Sequence, residues 1–280
     1  MTFSIIVVCL NPGDKLKQTL DSIFGQSYRD YEVIIKDGGS TDGSVDAWLR
    51  AWQKREGESS ETVHLYQEPD GGIYDAMNQA VSHARGEFLL FLNCGDTFAD
   101  REVLERTGEA VKAQAASGAD LSRLVLYGDT YGEKNQVAIA SPPVINGFAC
   151  YRNIPCHQSC FYSAALCREK PYDLQYRIRA DYDHFLWCYY RAGAKMSHMG
   201  FAVASYEGDG YSESRKNRRR DRKEHRLITR TYMGKGELFR YKAIMALTLA
   251  PLRRALADSK AFSGVYHRMK ERAYGGNIES

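Results

Sequence analysis

Three acidic loops carry the chemistry this sequence offers. Asp37 follows the apolar run Tyr31–Lys36, the Asp70–Asp75 segment follows Val63–Gln67, and Asp96 closes Asn93-Cys94-Gly95-Asp96 after Glu87–Leu92. In an open α/β sheet, ligands bind outside the carboxyl ends of the strands. A mouth lined by carboxylates repels phosphate unless a divalent cation lies between them. The pattern therefore predicts a metal-bridged nucleotide, with Mg²⁺ or Mn²⁺ held by few protein oxygens and by the phosphates. Neither G-x-G-x-x-G nor G-x-x-x-x-G-K-[ST] occurs, so dinucleotide and P-loop sites lose their main support.

Each acid also has a plainer reading. Asp37–Gly43 on its own is a polar turn with a helix cap. It is not an EF-hand loop, because Gly39 and Thr41 occupy ligand positions and Asp42 replaces the turn glycine. Asp96 alone is a helix cap, and Asp75 alone is a helix surface charge. Recurrence at successive strand ends is what favours chemistry. The 7 cysteines contain no C-x-x-C. Cys156, His157, Cys160 and Cys167 fit no compact zinc spacing, so reduced thiols are expected.

The elements that must position these acids alternate. Phe3–Cys9 reads as a strand ended by Asn11-Pro12-Gly13. Asp14 is placed to cap a helix with Leu16, Leu20, Ile23 and Phe24 on its apolar face. Tyr31–Lys36 is the next strand, and Ser40 or Thr41 is placed to cap a helix bearing Val45, Trp48, Leu49 and Trp52. Val63–Gln67 is a strand and Gly72–Ala84 a helix. Glu87–Leu92 is nearly all apolar, which requires burial on both faces. The alternation predicts an α/β fold with a mostly parallel central sheet flanked by helices. Beyond residue 100 the pattern loosens. Leu124–Tyr127, Val137–Ala140, Ser159–Tyr162 and Met196–Ala204 are candidate strands, and Asp181–Ala192 is a helix.

The chain has 280 residues, 44% apolar and 26% charged, the make-up of a folded globular protein. Residues 213–280 carry a net charge of +11 and the preceding 212 residues −8. A basic extension on an acidic body predicts an anionic partner for the extension. The run Arg215–Lys223 lacks interleaved aromatics, so nucleic acid is not expected. Leu238, Phe239, Tyr241, Ile244, Met245, Leu247, Leu249 and Leu252, flanked by Arg240, Lys242, Arg253 and Arg254, read as an interfacial segment on an anionic membrane. A core helix or one that packs a homodimer is the competing reading. The apolar run Ala243–Leu252 is about half of what a bilayer-spanning helix needs. Phe3–Val8 reads as a strand from the outset, so no secretion leader is expected.

The motifs, in order, resemble a known family. Ser4-Ile5-Ile6-Val7-Val8 with Asn11, then Asp37–Gly43, is similar to the opening of family 2 glycosyltransferases. Glu68–Asn78, Phe91–Asp96, His157-Gln158, Tyr172-Asp173-Leu174, Ala180-Asp181-Tyr182 and Gly210-Tyr211-Ser212 resemble a subgroup that builds bacterial exopolysaccharide, capsule and O-antigen units. The resemblance covers about residues 3–212. It implies a GT-A fold and inverting transfer from a nucleotide-sugar, a UDP-sugar, to a saccharide on a polyprenyl-diphosphate lipid. It divides the chain into a catalytic domain at 1–212, with a nucleotide-sugar half at 1–100 and an acceptor half at 101–212, and a basic helical extension at 213–280. The implied location is cytoplasmic and peripheral, at the inner face of the cytoplasmic membrane.

The resemblance also implies roles. Leu10, Asn11 and Asp37 would border the nucleotide base, and Asp75 and Asn93 would line the nucleotide pocket. Asp96 would hold the metal, although this motif has one acid only. Asp181 would be the catalytic base, with Asp183 close enough to compete for that role or to meet the acceptor. His157 and Gln158 would line the sugar or acceptor pocket. Asp209 stands where many relatives carry a second glycine. The residues suit the chemistry in their own right. A metal stabilises the charge on a diphosphate leaving group, and one carboxylate suffices to deprotonate an acceptor hydroxyl in a single inverting displacement. The Q-x-x-R-W pattern of processive synthases is absent, which predicts one sugar per encounter. Two rivals are a nucleotidyltransferase, which needs a glycine-rich basic loop after the first strand, and a non-catalytic nucleotide- or lipid-binding scaffold with a degenerate site.

Overall fold

The strand runs Phe3–Cys9, Tyr31–Lys36, Val63–Gln67 and Glu87–Leu92 form a parallel sheet. The computed structural model describes residues 1–53, 62–132, 137–206 and 217–247. In it β1 (Phe3–Cys9) pairs in parallel with β2 (Tyr31–Asp37), and β2 with β3 (Val63–Gln67). On its other edge β1 pairs in parallel with β4 (Phe88–Phe91). Every residue of β1, β2 and β4 is buried. Helices α1 (Lys15–Phe24), α2 (Ser44–Gln53) and α3 (Ile73–His83) connect them. Phe3, Ile5, Val7, Leu20, Ile35 and Leu90 form one core cluster. Each such side chain stabilises the fold by roughly 1.5–3 kcal/mol.

The second half extends the same sheet with mixed polarity. It contains β5 (Thr97–Phe98), α4 (Val103–Ala116), β6 (Leu124–Gly132), β7 (Val137–Ile139), α5 (Gly147–Arg152), β8 (Cys160–Ser163), α6 (Ala164–Glu169), α7 (Ala180–Tyr190) and β9 (Lys195–Tyr206). The strand order is β3-β2-β1-β4-β8-β6-β9-β5, with β7 on β6. Strand β8 runs antiparallel to β4, with Leu90 opposite Phe161. That reversal matters for the site, because it sets the start of β8 beside the end of β4.

Several local expectations change. Asp14 occupies the N-cap position of α1, but its backbone is already helical and its side chain makes no cap bond. Helix α2 starts at Ser44, and Asp42 rather than Ser40 or Thr41 accepts from the Ser44 amide and hydroxyl. The strand expected at Leu124–Tyr127 continues to Gly132 because β9 pairs with it along its length, with register shifts near Asp129.

The chain forms two compact units, Met1–Ile228 and Thr229–Ser280. Helix α8 (Arg218–Tyr232) begins inside the first unit. In the second unit, α9 (Lys235–Leu247) buries Tyr241, whose hydroxyl donates to Glu237 at 2.7 Å. Its other apolar residues are spread around the axis, and Phe239 and Leu247 are exposed. No helix among the described residues is long and apolar enough to cross a membrane. The expectations at Asp209, Gly210-Tyr211-Ser212, Arg215, Lys216, Leu249, Leu252, Arg253 and Arg254 lie outside the described residues.

Candidate active site

The antiparallel step from β4 to β8 assembles a cluster from distant segments. Asn93 follows β4, and the 3-10 turn His157–Ser159 precedes β8. Their side chains meet, with Asn93 Nδ2 at 2.9 Å from His157 Nε2. The other face of the ring looks at Asp181 in the first turn of α7, with His157 Nδ1 at 3.6 Å from Asp181 Oδ2. Asn93 and Asp181 thus flank the two ring nitrogens of His157. The next residue, Gln158, donates to Asp96 Oδ2 at 3.0 Å. Two consecutive residues thus tie the α7 carboxylate to the turn that carries Asp96.

Asp181 has a second partner. Tyr74 of α3 is buried, and its hydroxyl reaches Asp181 Oδ1 at 2.9 Å and the Ile178 carbonyl at 2.7 Å. Burial pushes the Asp181 carboxyl up, but the His157 hydrogen bond and charge and the Tyr74 hydroxyl outweigh it. The net result is a carboxyl held below the usual aspartate range, and 23% of its side-chain surface remains exposed. It is a carboxylate with an open edge. Asp183 behaves differently. It is 3% exposed and ion-paired with Lys170. Residues two apart on a helix lie about 200° apart around its axis, so the two acids face opposite ways.

The Asn93–Asp96 turn is built from α1. Thr19, fully buried, accepts from the Gly95 amide and donates to the Asp96 carbonyl, both at 2.8 Å. Gly95 has φ +103°, a conformation that favours glycine, and its backbone closes the turn from Asp96 N to Asn93 O at 2.9 Å. Asn93 Oδ1 is buried and without a hydrogen-bond partner. Cys94 stays a neutral thiol, since burial pushes it up to about 12. The turn therefore offers the hard oxygens of Asn93 and Asp96. That donor set suits Mg²⁺ or Mn²⁺ whose shell is completed by phosphate and water, and it is too small for a self-contained protein cage. Among the described residues no three His, Cys, Asp or Glu side chains group to hold an ion.

A cavity of about 550 Å³ opens at the ends of β1 and β3. Its walls include Leu10, Asp70, Tyr74, Asp75, Leu174 and Arg177. Asp75 is turned partly into its own loop, accepting from Gly71 N at 2.7 Å and Gln79 Nε2 at 3.1 Å. Asp70 lies 3.5 Å from the buried ammonium of Lys36, which also donates to the Glu68 and Asp37 carbonyls. Asp70 Oδ2 lies 2.5 Å from where a Cβ on Gly38 would stand. Only glycine at 38 leaves room for that carboxylate.

Asp37 and Asn11 are used up locally. Asp37 is fully buried and accepts from Ser40 N, Ser40 Oγ and Gln67 Nε2 at 2.6–3.2 Å. Asn11, at φ +49°, accepts from Thr41 N at 2.8 Å and Asp42 N at 3.2 Å, and its own amide donates to Ser40. Of the expected site residues, then, Asn93, Asp96, His157, Gln158 and Asp181 come together. Leu10 and Asp75 line the cavity. Asp37, Asn11 and Asp183 hold structure in this arrangement. Sequence reasoning did not single out Tyr74, Thr19, Lys36 or Glu224. A lysine beside an aspartate at the end of an otherwise apolar strand was the available signal for Lys36.

A parallel sheet widened by an antiparallel strand, with acids at its mouth, is the GT-A architecture. The comparisons agree. Residues 4–170 match the family described as Glycosyl transferase family 2. A PGL/p-HBAD biosynthesis glycosyltransferase of Mycobacterium bovis (strain BCG / Pasteur 1173P2) is 32% identical over 74% of this chain and 77% of its own. S. aureus TarS 1-349 has the same fold at a TM-score of 0.60 and 21% identity, covering 74% of this chain and 60% of that one, and TarS has also been solved with UDP-GlcNAc. Mannosyltransferase PcManGT from Pyrobaculum calidifontis, in complex with GDP-Man and Mn²⁺, gives a TM-score of 0.60 at 17% identity over 98% of this chain and 87% of that one. The chain belongs to glycosyl transferase family 2.

Proposed function

We propose that the chain is an inverting, metal-dependent, non-processive glycosyltransferase. It moves a sugar from a UDP-sugar to a polyprenyl-diphosphate-linked saccharide in surface polysaccharide assembly. The observation that carries this reading is the bridge made by His157 and Gln158 between Asp181 and Asp96. It fixes a proton acceptor and a metal-facing acid in one frame, which a single displacement needs. The cavity suits a nucleotide, and Asp70, an acid on its wall beside Asp75, is placed to make the base contact expected of the buried Asp37. The UDP-GlcNAc and Mn²⁺ complexes of the two fold neighbours support the donor class and the ion.

In the reaction Asp181 accepts the proton of the acceptor hydroxyl as its oxygen bonds to the sugar carbon. The bond from that carbon to the diphosphate breaks, and the configuration inverts. A cation held by Asn93 and Asp96 would neutralise charge on the departing diphosphate. His157 and Tyr74 hold the Asp181 carboxylate in place. Helix α8 exposes Arg219, Arg220, Arg222 and Lys223, which suit an anionic membrane at the inner face of the cytoplasmic membrane.

The test is a thermal-shift panel of UDP, GDP, CMP, dTDP and their sugar conjugates, each with and without Mn²⁺. Ligand at about 100 times its Kd stabilises by ~2.7 kcal/mol. A metal-dependent shift with UDP and UDP-sugars is expected. No shift with any nucleotide would overturn the reading in favour of a degenerate scaffold. Flotation with anionic vesicles tests the surface contact, and Arg219, Arg220 and Lys223 changed to Glu should abolish it.

A further inference from the structure

The cationic run that opens α8 hides two carboxylates. Asp221 and Glu224 lie three residues apart, hence on one face, and Ile228 continues that face. Arg219, Arg220, Arg222, Lys223 and Arg226 lie around the exposed remainder. Glu224 is 5% exposed although it sits in the most basic helix of the chain. Its carboxylate faces the segment that leads into α7. Oε1 accepts from Arg177 N, and Oε2 accepts from Ile178 N and Arg179 N, all at 3.0 Å. Asp221 accepts from Arg179 Nε at 2.6 Å. These amides precede the first turn of α7, where a carboxylate is also favoured by the helix dipole.

From the other side Tyr74 grips the same segment at the Ile178 carbonyl and the Asp181 carboxylate. The residues from Arg177 to Asp181 are therefore clamped between α3 and α8. We propose that Glu224 is a positioning residue for Asp181, so that the first part of α8 belongs to the active site. The inference rests on the reading of Asp181 as the base. Without Glu224, three amides lose their acceptor and the α7 entry moves to find others. Asp181 then drifts from Tyr74 and His157. A displacement of about 1 Å in a reacting group can cost about 100-fold in rate.

The experiment uses the full chain as Glu224→Ala and Glu224→Gln, with Ile228→Ala as a variant that loosens the same helix face without touching the amides. Two readouts are taken. One is a crystal structure of each variant, for the Tyr74–Asp181 contact. The other is UDP release from UDP-GlcNAc with Mn²⁺. Glu224→Ala is expected to break the contact and lower kcat about 30-fold, with KM for the donor within about twofold of wild type. Glu224→Gln, which keeps one acceptor, should lose less. Ile228→Ala should lower Tm and leave kcat near wild type. A Tyr74–Asp181 contact retained in Glu224→Ala overturns the proposal, and so does an Ile228→Ala kcat as low as that of Glu224→Ala. If the wild type releases no UDP, the transferase reading falls, while loss or retention of the contact still decides the positioning role.

Discussion

Two regions of this chain enclose an aspartate and put it to opposite uses. At the end of β2, the Asp37 carboxylate is buried and filled by Ser40 and Gln67. At the head of α7, the Asp181 carboxylate is also enclosed, but its partners are a histidine and a tyrosine and part of it stays open. A carboxylate filled by backbone, hydroxyl and amide donors is a fastener. One held by two ionisable groups from other elements, with a free edge, is available for proton transfer. The difference lies in which partners reach the acid, not in the acid itself.

The contrast breaks most sharply at Asp181. Asp181→Asn should cut turnover by about 10²–10⁴, the usual share of a general base, and leave the nucleotide-induced thermal shift intact. His157→Ala should cost about 10–100-fold, as loss of an orienting partner does. It also carries a pH signature. The imidazole lowers the Asp181 carboxyl against the opposing effect of burial. Removing it leaves only the Tyr74 hydroxyl and a backbone hydrogen bond against burial, so the acid limb of kcat should move to higher pH. The sign for stability follows. Because the Asp181 carboxyl lies below its unfolded value, its contribution is present above that value and is lost as pH falls through the folded one. Asp37→Asn should instead lower stability by about 1–3 kcal/mol in urea unfolding, since an amide nitrogen would face donors. Asp14→Ala should change stability by less than about 0.5 kcal/mol, because no cap bond is lost.

The first hundred residues were legible because β1, β2 and β4 are buried on both faces and each strand there carries its own turn signal. The parallel sheet, its flanking helices and the acids at its mouth all follow from local runs. What escaped depends on non-local pairing. Nothing in Ser159–Tyr162 says that β8 runs antiparallel to β4, yet that step brings His157 to Asn93. The choice between Asp181 and Asp183 is likewise a matter of helix rotation against neighbours, and Lys170 decides it. Asp37 was placed at the correct strand end, but its inward turn depends on Ser40 and Gln67 side chains. Glu224 was concealed by its basic surroundings, although its spacing from Asp221 marks a second face.

The most direct test measures turnover and unfolding together on Asp181→Asn and Asp37→Asn, with each rate corrected for the folded fraction. The account predicts a crossing. Asp181→Asn loses at least about 100-fold in kcat with a smaller drop in unfolding midpoint than Asp37→Asn, which unfolds more easily and stays within about tenfold of wild-type kcat once corrected. Equal loss of kcat in both variants, with both unfolding midpoints unchanged, would contradict it.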